Sequence, residues 1–189
     1  QAFRPGGVTR VMGADLEAEQ RILAAFDAAA PVPLTVSGDL EGSRMSLPAG
    51  TQFPNPIALA AVDDPEATRT ICSLMAEEAH TAGFTWALTP QVDISAAFRS
   101  AIVATRGYGS DPGRIARHAP VQIASFQRAG IAATAKHFPG EGYDDRDQHL
   151  VTTVNPLSVE AWEETFGRIY RAAIEAGVMA VMSAHIAFP

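Results

Sequence analysis

The stretch Arg128-Ala129-Gly130-Ile131-Ala132-Ala133-Thr134-Ala135-Lys136-His137 decides the fold of this chain. It joins a helix end, a glycine, a short and mostly apolar run, and then two ionisable residues. Glycine just past a helix takes the left-handed conformation that stops it. The run 131–135 suits a buried strand. The same order recurs at Ala82-Gly83 before 84–88 and at Ala176-Gly177 before 178–182. The three glycines stand at intervals of 47 residues, which describes a βα unit with long loops rather than a solenoid array.

Working outward, each unit supplies an amphipathic helix. Asp64 is a candidate N-cap with Pro65 at the first helical position, predicting a helix over 65–82 with Ile71, Leu74, Met75 and Ala79 on one face. Asp111 and Pro112 predict a second over 112–129, with Ile115, Ala119, Ile123 and Phe126 inward. A third follows Ser158 with Trp162, Phe166, Ile169 and Ala173 in register, and an earlier one covers about 15–29. Residues 34–37 form a further strand, and 5–8 the remnant of another.

Short buried strands with helical crossovers allow an open doubly wound sheet or a barrel. No Gly-x-Gly-x-x-Gly follows the first strands, so dinucleotide binding has no support. Asp39, Asp93, Lys136, His137 and His185 all fall at or just past strand C-termini. In a (β/α) barrel those positions converge on the face that carries chemistry. The fold class is therefore α/β, a (β/α)8 TIM-type barrel represented over 1–189 by about five βα units.

Composition narrows the partners. Hydrophobic residues make up 47% and charged residues 19%, ordinary for a soluble globular unit, and the net charge is −7. The 14 Lys and Arg are scattered, so the counterion-release term of nucleic-acid binding has no footprint. No apolar run reaches the roughly 20 residues of a membrane span. Cys72, the single cysteine, is expected to be a small buried hydrophobe. Residues 1–7 lack the charged and apolar regions of a signal peptide. The expectation is a cytoplasmic location, with secretion left open should the natural N-terminus precede Gln1.

The chemistry concentrates in Lys136-His137-Phe138-Pro139-Gly140-Glu141-Gly142-Tyr143-Asp144-Asp145-Arg146-Asp147-Gln148-His149. Alone, the acidic part reads as a solvated loop, and Lys136 with His137 as a satisfied buried pair. Asp39 alone reads as a turn residue and Arg106 as a surface charge. Together they suggest more. A carboxylate beside an imidazole fixes its tautomer and favours a proton donor near neutrality, worth about 10²–10⁴-fold in rate. A lysine at a strand end can hydrogen-bond sugar hydroxyls.

Lys136-His137-Phe138-Pro139-Gly140-x-Gly142 with Asp147-x-His149 resembles the β-N-acetylglucosaminidase branch of glycoside hydrolase family 3. In family order, Gly38-Asp39-Leu40-Glu41-Gly42, Pro90-Gln91-Val92-Asp93, Thr105-Arg106-Gly107-Tyr108-Gly109-Ser110-Asp111-Pro112 and Ser183-Ala184-His185-Ile186-Ala187-Phe188-Pro189 are similar to further segments. The resemblance implies His149 as general acid/base and Asp147 as its orienting partner. It implies that Asp39, Arg106, Lys136 and His137 hold the terminal sugar. Its implied substrate is an N-acetylglucosamine-containing glycan or glycoside, cleaved by a retaining route through a covalent glycosyl-enzyme, with no cofactor and no metal. A muropeptide, a chitin fragment or a small glycoside would each suit as natural substrate.

Inorganic phosphate in place of water is an alternative acceptor, because a histidine does not repel it as an ionised carboxylate would. The family's aspartate nucleophile follows a later strand, so residues 1–189 alone are expected to be inactive. Glu141 stands where the family often has His, Ser43 where a second Gly is common, and Gln148 where Ser is frequent. Two other classes compete. A metal-dependent barrel hydrolase would use His137, His149, His185 and Asp39 as ligands. A non-catalytic sugar-binding barrel would keep the binding residues alone. His185 otherwise reads as a buried structural histidine.

Overall fold

The computed structural model describes residues 5–10, 13, 15–42 and 47–189. Ser43 lies outside them. Along the chain run β1 (Gly7–Thr9), α1 (Leu16–Ala29), β2 (Thr35–Gly38), α2 (Pro56–Val62), α3 (Pro65–Thr81), β3 (Trp86–Ala87), α4 (Pro112–Arg128), β4 (Ala132–Phe138), β5 (Thr153–Val154), α5 (Val159–Trp162), α6 (Arg168–Glu175), β6 (Ala180–Ser183) and β7 (Ile186–Ala187). A π-helical turn, Glu163–Gly167, joins α5 to α6.

Five strands form one parallel sheet in the order β1-β2-β3-β4-β6. Every neighbouring pair is parallel and joined by a crossover, the arrangement that curls into a (β/α)8 barrel, of which these are about five units. The helices form a layer in which α3 packs on α4 and α4 on α6. The core between layers includes Met75, Ala79, Phe84, Ile115, Ile123, Phe126, Ile131, Phe166 and Ile169.

The helix starts obey local chemistry. Asp64 Oδ1 accepts from Glu66 N–H, Asp111 Oδ1 from Gly113 N–H, and Ser158 Oγ from Ala161 N–H. The stops are the three expected glycines, Gly83, Gly130 and Gly177, all at φ between +79° and +93°. Cys72 is fully buried, as expected.

Several details differ from the sequence expectations. Within 84–88 only Trp86 and Ala87 pair as strand, whereas the strand read as 131–135 extends through Phe138. Lys136 and His137 thus lie inside β4, because Lys136 and Phe138 pair with Met182 and Ser183 of β6. Leu74 is exposed rather than buried with Met75. It lines a cleft of about 620 Å³ with Leu16, Leu47 and Thr81. Helix α2 was not expected, although Asn55 caps it through Ala58 N–H and Pro56 opens it, the same signature as Asp64-Pro65. The small β5–β7 sheet was also not expected, since two-residue strands carry no periodicity.

That small sheet helps to position the loop after β4. Asn155 Nδ2 donates to Gly140 O at 2.9 Å, and Trp162 Nε1 donates to Pro139 O at 2.5 Å. The Lys136–His137, Phe138–Pro139 and Thr89–Pro90 peptides are cis.

Candidate active site

The sheet brings Asp39, Arg106, Lys136 and His137 together, and it does so through two carboxylates not counted among the expected site residues. The first is Glu41. Leu40 adopts a left-handed φ of +49°, and this turn after β2 lets both Asp39 and Glu41 reach Lys136. Lys136 Nζ donates to Asp39 Oδ1 at 2.9 Å and to Glu41 Oε1 at 2.5 Å. Arg106 grips the same carboxylate with a fork, Nε to Oε2 at 2.7 Å and one terminal nitrogen to Oε1 at 2.9 Å. Two cations and two carboxylates balance, which is what a buried lysine requires. Burial opposes the charge of Arg106, but its pairing with Glu41 outweighs this and raises its pKa.

The second carboxylate is Asp93, fully buried beyond β3. Its Oδ1 accepts the backbone N–H groups of His137 and Glu141 at 3.1 and 2.8 Å. Its Oδ2 accepts Gln91 Nε2 at 2.9 Å and pairs with His137 Nδ1 at 2.7 Å. Burial alone would push this carboxyl up. The His137 hydrogen bond and charge, with the other donors, more than offset it, so Asp93 lies below the usual carboxylate value and stays ionised. Asp93 thereby fixes the imidazole ring and directs Nε2 away from the strand. Its place at a strand end was visible in the sequence. Three of its four donors were not, because they come from residues 44 or more positions away.

Asp147 and His149 do pair. His149 Nδ1 lies 2.7 Å from Asp147 Oδ1, which also accepts the His149 backbone N–H at 2.9 Å. That backbone bond first, and the side-chain bond second, hold Asp147 below its ordinary pKa. The dyad stands on the loop after β4 with His149 58% exposed on its side chain, so Nε2 is open to a ligand. His185, expected to be buried, is instead exposed, with its ring centroid 6.0 Å from that of His149.

The loop between these parts is built on close approach. Gly142 has φ +106°, and a Cβ there would lie 1.9 Å from Ile94 O. Ala96 and Ala97 N–H both donate to Gly142 O, and Ala101 N–H to Asp145 O, stitching the Arg106 loop to the dyad loop.

The four ligands of the metal-dependent alternative are not gathered. Among the described residues, Asp93, His137 and Glu141 are the group whose ligand atoms lie within 4.8 Å of one another. Asp93 already fills both oxygens with protein donors, and His137 Nδ1 is taken by Asp93, so in that group only the Glu141 carboxyl is unpartnered.

Cations and carboxylates gathered at the strand ends, beside a carboxylate–imidazole pair on an exposed loop, form a set able to hydrogen-bond hydroxyls. The chain belongs to glycoside hydrolase family 3, since residues 7–189 match the family's N-terminal domain. It is 44% identical over 161 residues to a β-N-acetylglucosaminidase/β-glucosidase of Cellulomonas fimi, covering 85% of this chain and 28% of that protein. It is 33% identical over 174 residues to a β-hexosaminidase of Xanthomonas oryzae pv. oryzae, covering 88% of this chain and 52% of that one. The solved β-glucoside phosphorylase BglX superposes with a TM-score of 0.93 at 36% identity, over 99% of this chain and 34% of its own. The chain thus spans about half the length, or less, of these relatives. Among the described residues no helix is long and apolar enough to cross a membrane.

Proposed function

We propose that the protein carrying this chain is a retaining, exo-acting β-N-acetylglucosaminidase. The observation that carries the reading is the Asp147–His149 pair, 2.7 Å apart and open to a ligand, on the loop that follows Lys136 and His137. In the first step protonated His149 gives its proton to the glycosidic oxygen as the C1–O bond breaks. A carboxylate from a later barrel strand then bonds to C1. In the second step neutral His149 takes a proton from water, whose oxygen displaces that carboxylate from C1. Asp147 keeps the imidazole in the tautomer that presents Nε2. Asp39, Arg106, Lys136 and His137 hold the terminal sugar, which contains N-acetylglucosamine. Glu41 and Asp93 keep those four in place.

A second reading replaces water with inorganic phosphate. It is supported by the likeness to a β-glucoside phosphorylase and by the imidazole itself. After the first step His149 is neutral, and a neutral ring does not repel an incoming dianion as a carboxylate would.

The test uses the full-length protein, an activated β-N-acetylglucosaminide and the matching β-glucoside, with and without phosphate, beside His149→Ala. A fall in turnover of about 10²–10⁴-fold in the variant is expected for loss of a general acid/base. Phosphate dependence then decides the acceptor. Turnover unchanged in the variant would remove the dyad from the mechanism. Sugar binding without any turnover would favour a non-catalytic glycan-binding role.

A further inference from the structure

Glu141 is the buried ionisable residue of the site's loop that the reaction above does not use. It departs from the family motif, and its surroundings are unusual. The residue is only 6% exposed, and its Oε1 is buried with no hydrogen-bond partner. Its backbone N–H is committed to Asp93 Oδ1 at 2.8 Å. Its carboxyl, the Asp93 carboxyl and the His137 ring offer atoms within 4.8 Å of one another. We propose that Glu141 is a positioning residue of the sugar site, a buried carboxyl that backs the Asp93–His137 pair and lets that pair hold the sugar only while it carries its own proton.

The reason is competition between two acids in one buried space. Asp93 has four donors and stays ionised. Glu141 has no side-chain donor in compensation. Two carboxylates this close cannot both ionise cheaply out of water. The groups that face Glu141 from the packed elements mostly make ionisation harder. Asp93 lies beyond β3, Asp147 lies farther along its own loop, and both are anionic. Tyr170 of α6 is driven well above its ordinary pKa, first by burial and then by Asp93 and Glu141. Arg106 is the opposing cation, but its fork is occupied by Glu41. His137 is tied to Asp93. Burial first, and the Asp93 charge second, push the Glu141 carboxyl up to about 8.

Once Glu141 loses its proton, the second anion must be relieved. It draws Arg106 away from Glu41. Arg106 is proposed to hold the sugar, so binding weakens. This inference rests on the sugar-site reading above and adds a proton to it.

The test measures binding of N-acetylglucosamine, a neutral ligand, to the full-length protein between pH 6 and pH 9.5. The His149→Ala background keeps the exposed imidazole out of the titration. Affinity is expected to be flat at low pH and to fall as pH rises through about 8, by up to tenfold per unit. Adding Glu141→Gln should give flat binding across that range. Calorimetry near pH 8.5 in buffers of different ionisation enthalpy should show proton uptake when the sugar binds, and needs no change at Glu141. Flat binding with Glu141 present, no proton uptake, or the same fall in Glu141→Gln would overturn the proposal while leaving the sugar site intact. No sugar binding at any pH would overturn the sugar-site reading and this proposal with it.

Discussion

Lys136 Nζ lies 2.5 Å from Glu41 Oε1, and both side chains are only 1% exposed. A cation at the end of the fourth strand is thus neutralised from the loop after the second, 95 or more residues earlier in the chain. The pair ties two βα units together at the rim where the sugar is proposed to sit.

Glu41→Ala is expected to cost about 3–5 kcal/mol of stability, because it leaves a buried ammonium short of a partner and frees the Arg106 fork. Asp39, 40% exposed on its side chain, should be cheap to remove, with Asp39→Ala costing at most about 1 kcal/mol. Denaturant unfolding of the two variants checks the contrast. Equal costs would mean that Lys136 relies on both carboxylates alike.

Gly142→Ala should damage the loop that carries the dyad. At φ +106° an L side chain is strained, and its Cβ would collide with Ile94 O. Turnover should drop at least tenfold and the melting temperature should fall. Gly177→Ala is the control. It also has positive φ, but nothing lies within 4 Å of its Cβ, so its cost should stay near the 1–2 kcal/mol of a left-handed residue. Wild-type turnover in Gly142→Ala would show that the loop position does not govern catalysis.

Stability should also depend on Glu141. Its folded pKa of about 8 is raised above its ordinary 4.5. The folded state therefore keeps a proton that the unfolded chain releases between those values. The favourable contribution is complete below about 4.5 and is lost as pH rises through about 8. Glu141→Gln should remove this slope, so the melting temperature of the variant should gain on that of the wild type as pH rises from about 4.5 to about 8, with the difference level above that. Parallel melting curves would show that Glu141 is ionised throughout.

Residues 1–189 by themselves should show no glycosidase turnover and should bind a hydrophobic dye. Strand β6 ends the sheet order, and Met179, Val181 and Ile174 nearby are 69%, 48% and 63% exposed. Apolar surface beside an open strand edge invites association. Turnover by these residues alone, lost in His149→Ala, would contradict this.

Much of this was legible in the sequence because it is local. Asp-Pro starts and Ala-Gly stops mark helix ends through backbone chemistry that spans three or four residues. Apolar runs between them mark strands, and the regular repeat of the two marks a parallel sheet. Asp147 and His149 lie two residues apart, so their pairing was readable as a motif, and Lys136-His137 announced itself at a strand end. Only the tertiary structure showed that Glu41 binds both Lys136 and Arg106, that Asp93 collects four donors, and that Glu141 shares a buried space with Asp93. Those relations depend on which strands become neighbours in the sheet. They also depend on which side chains lose water together, and no local pattern of residues encodes that.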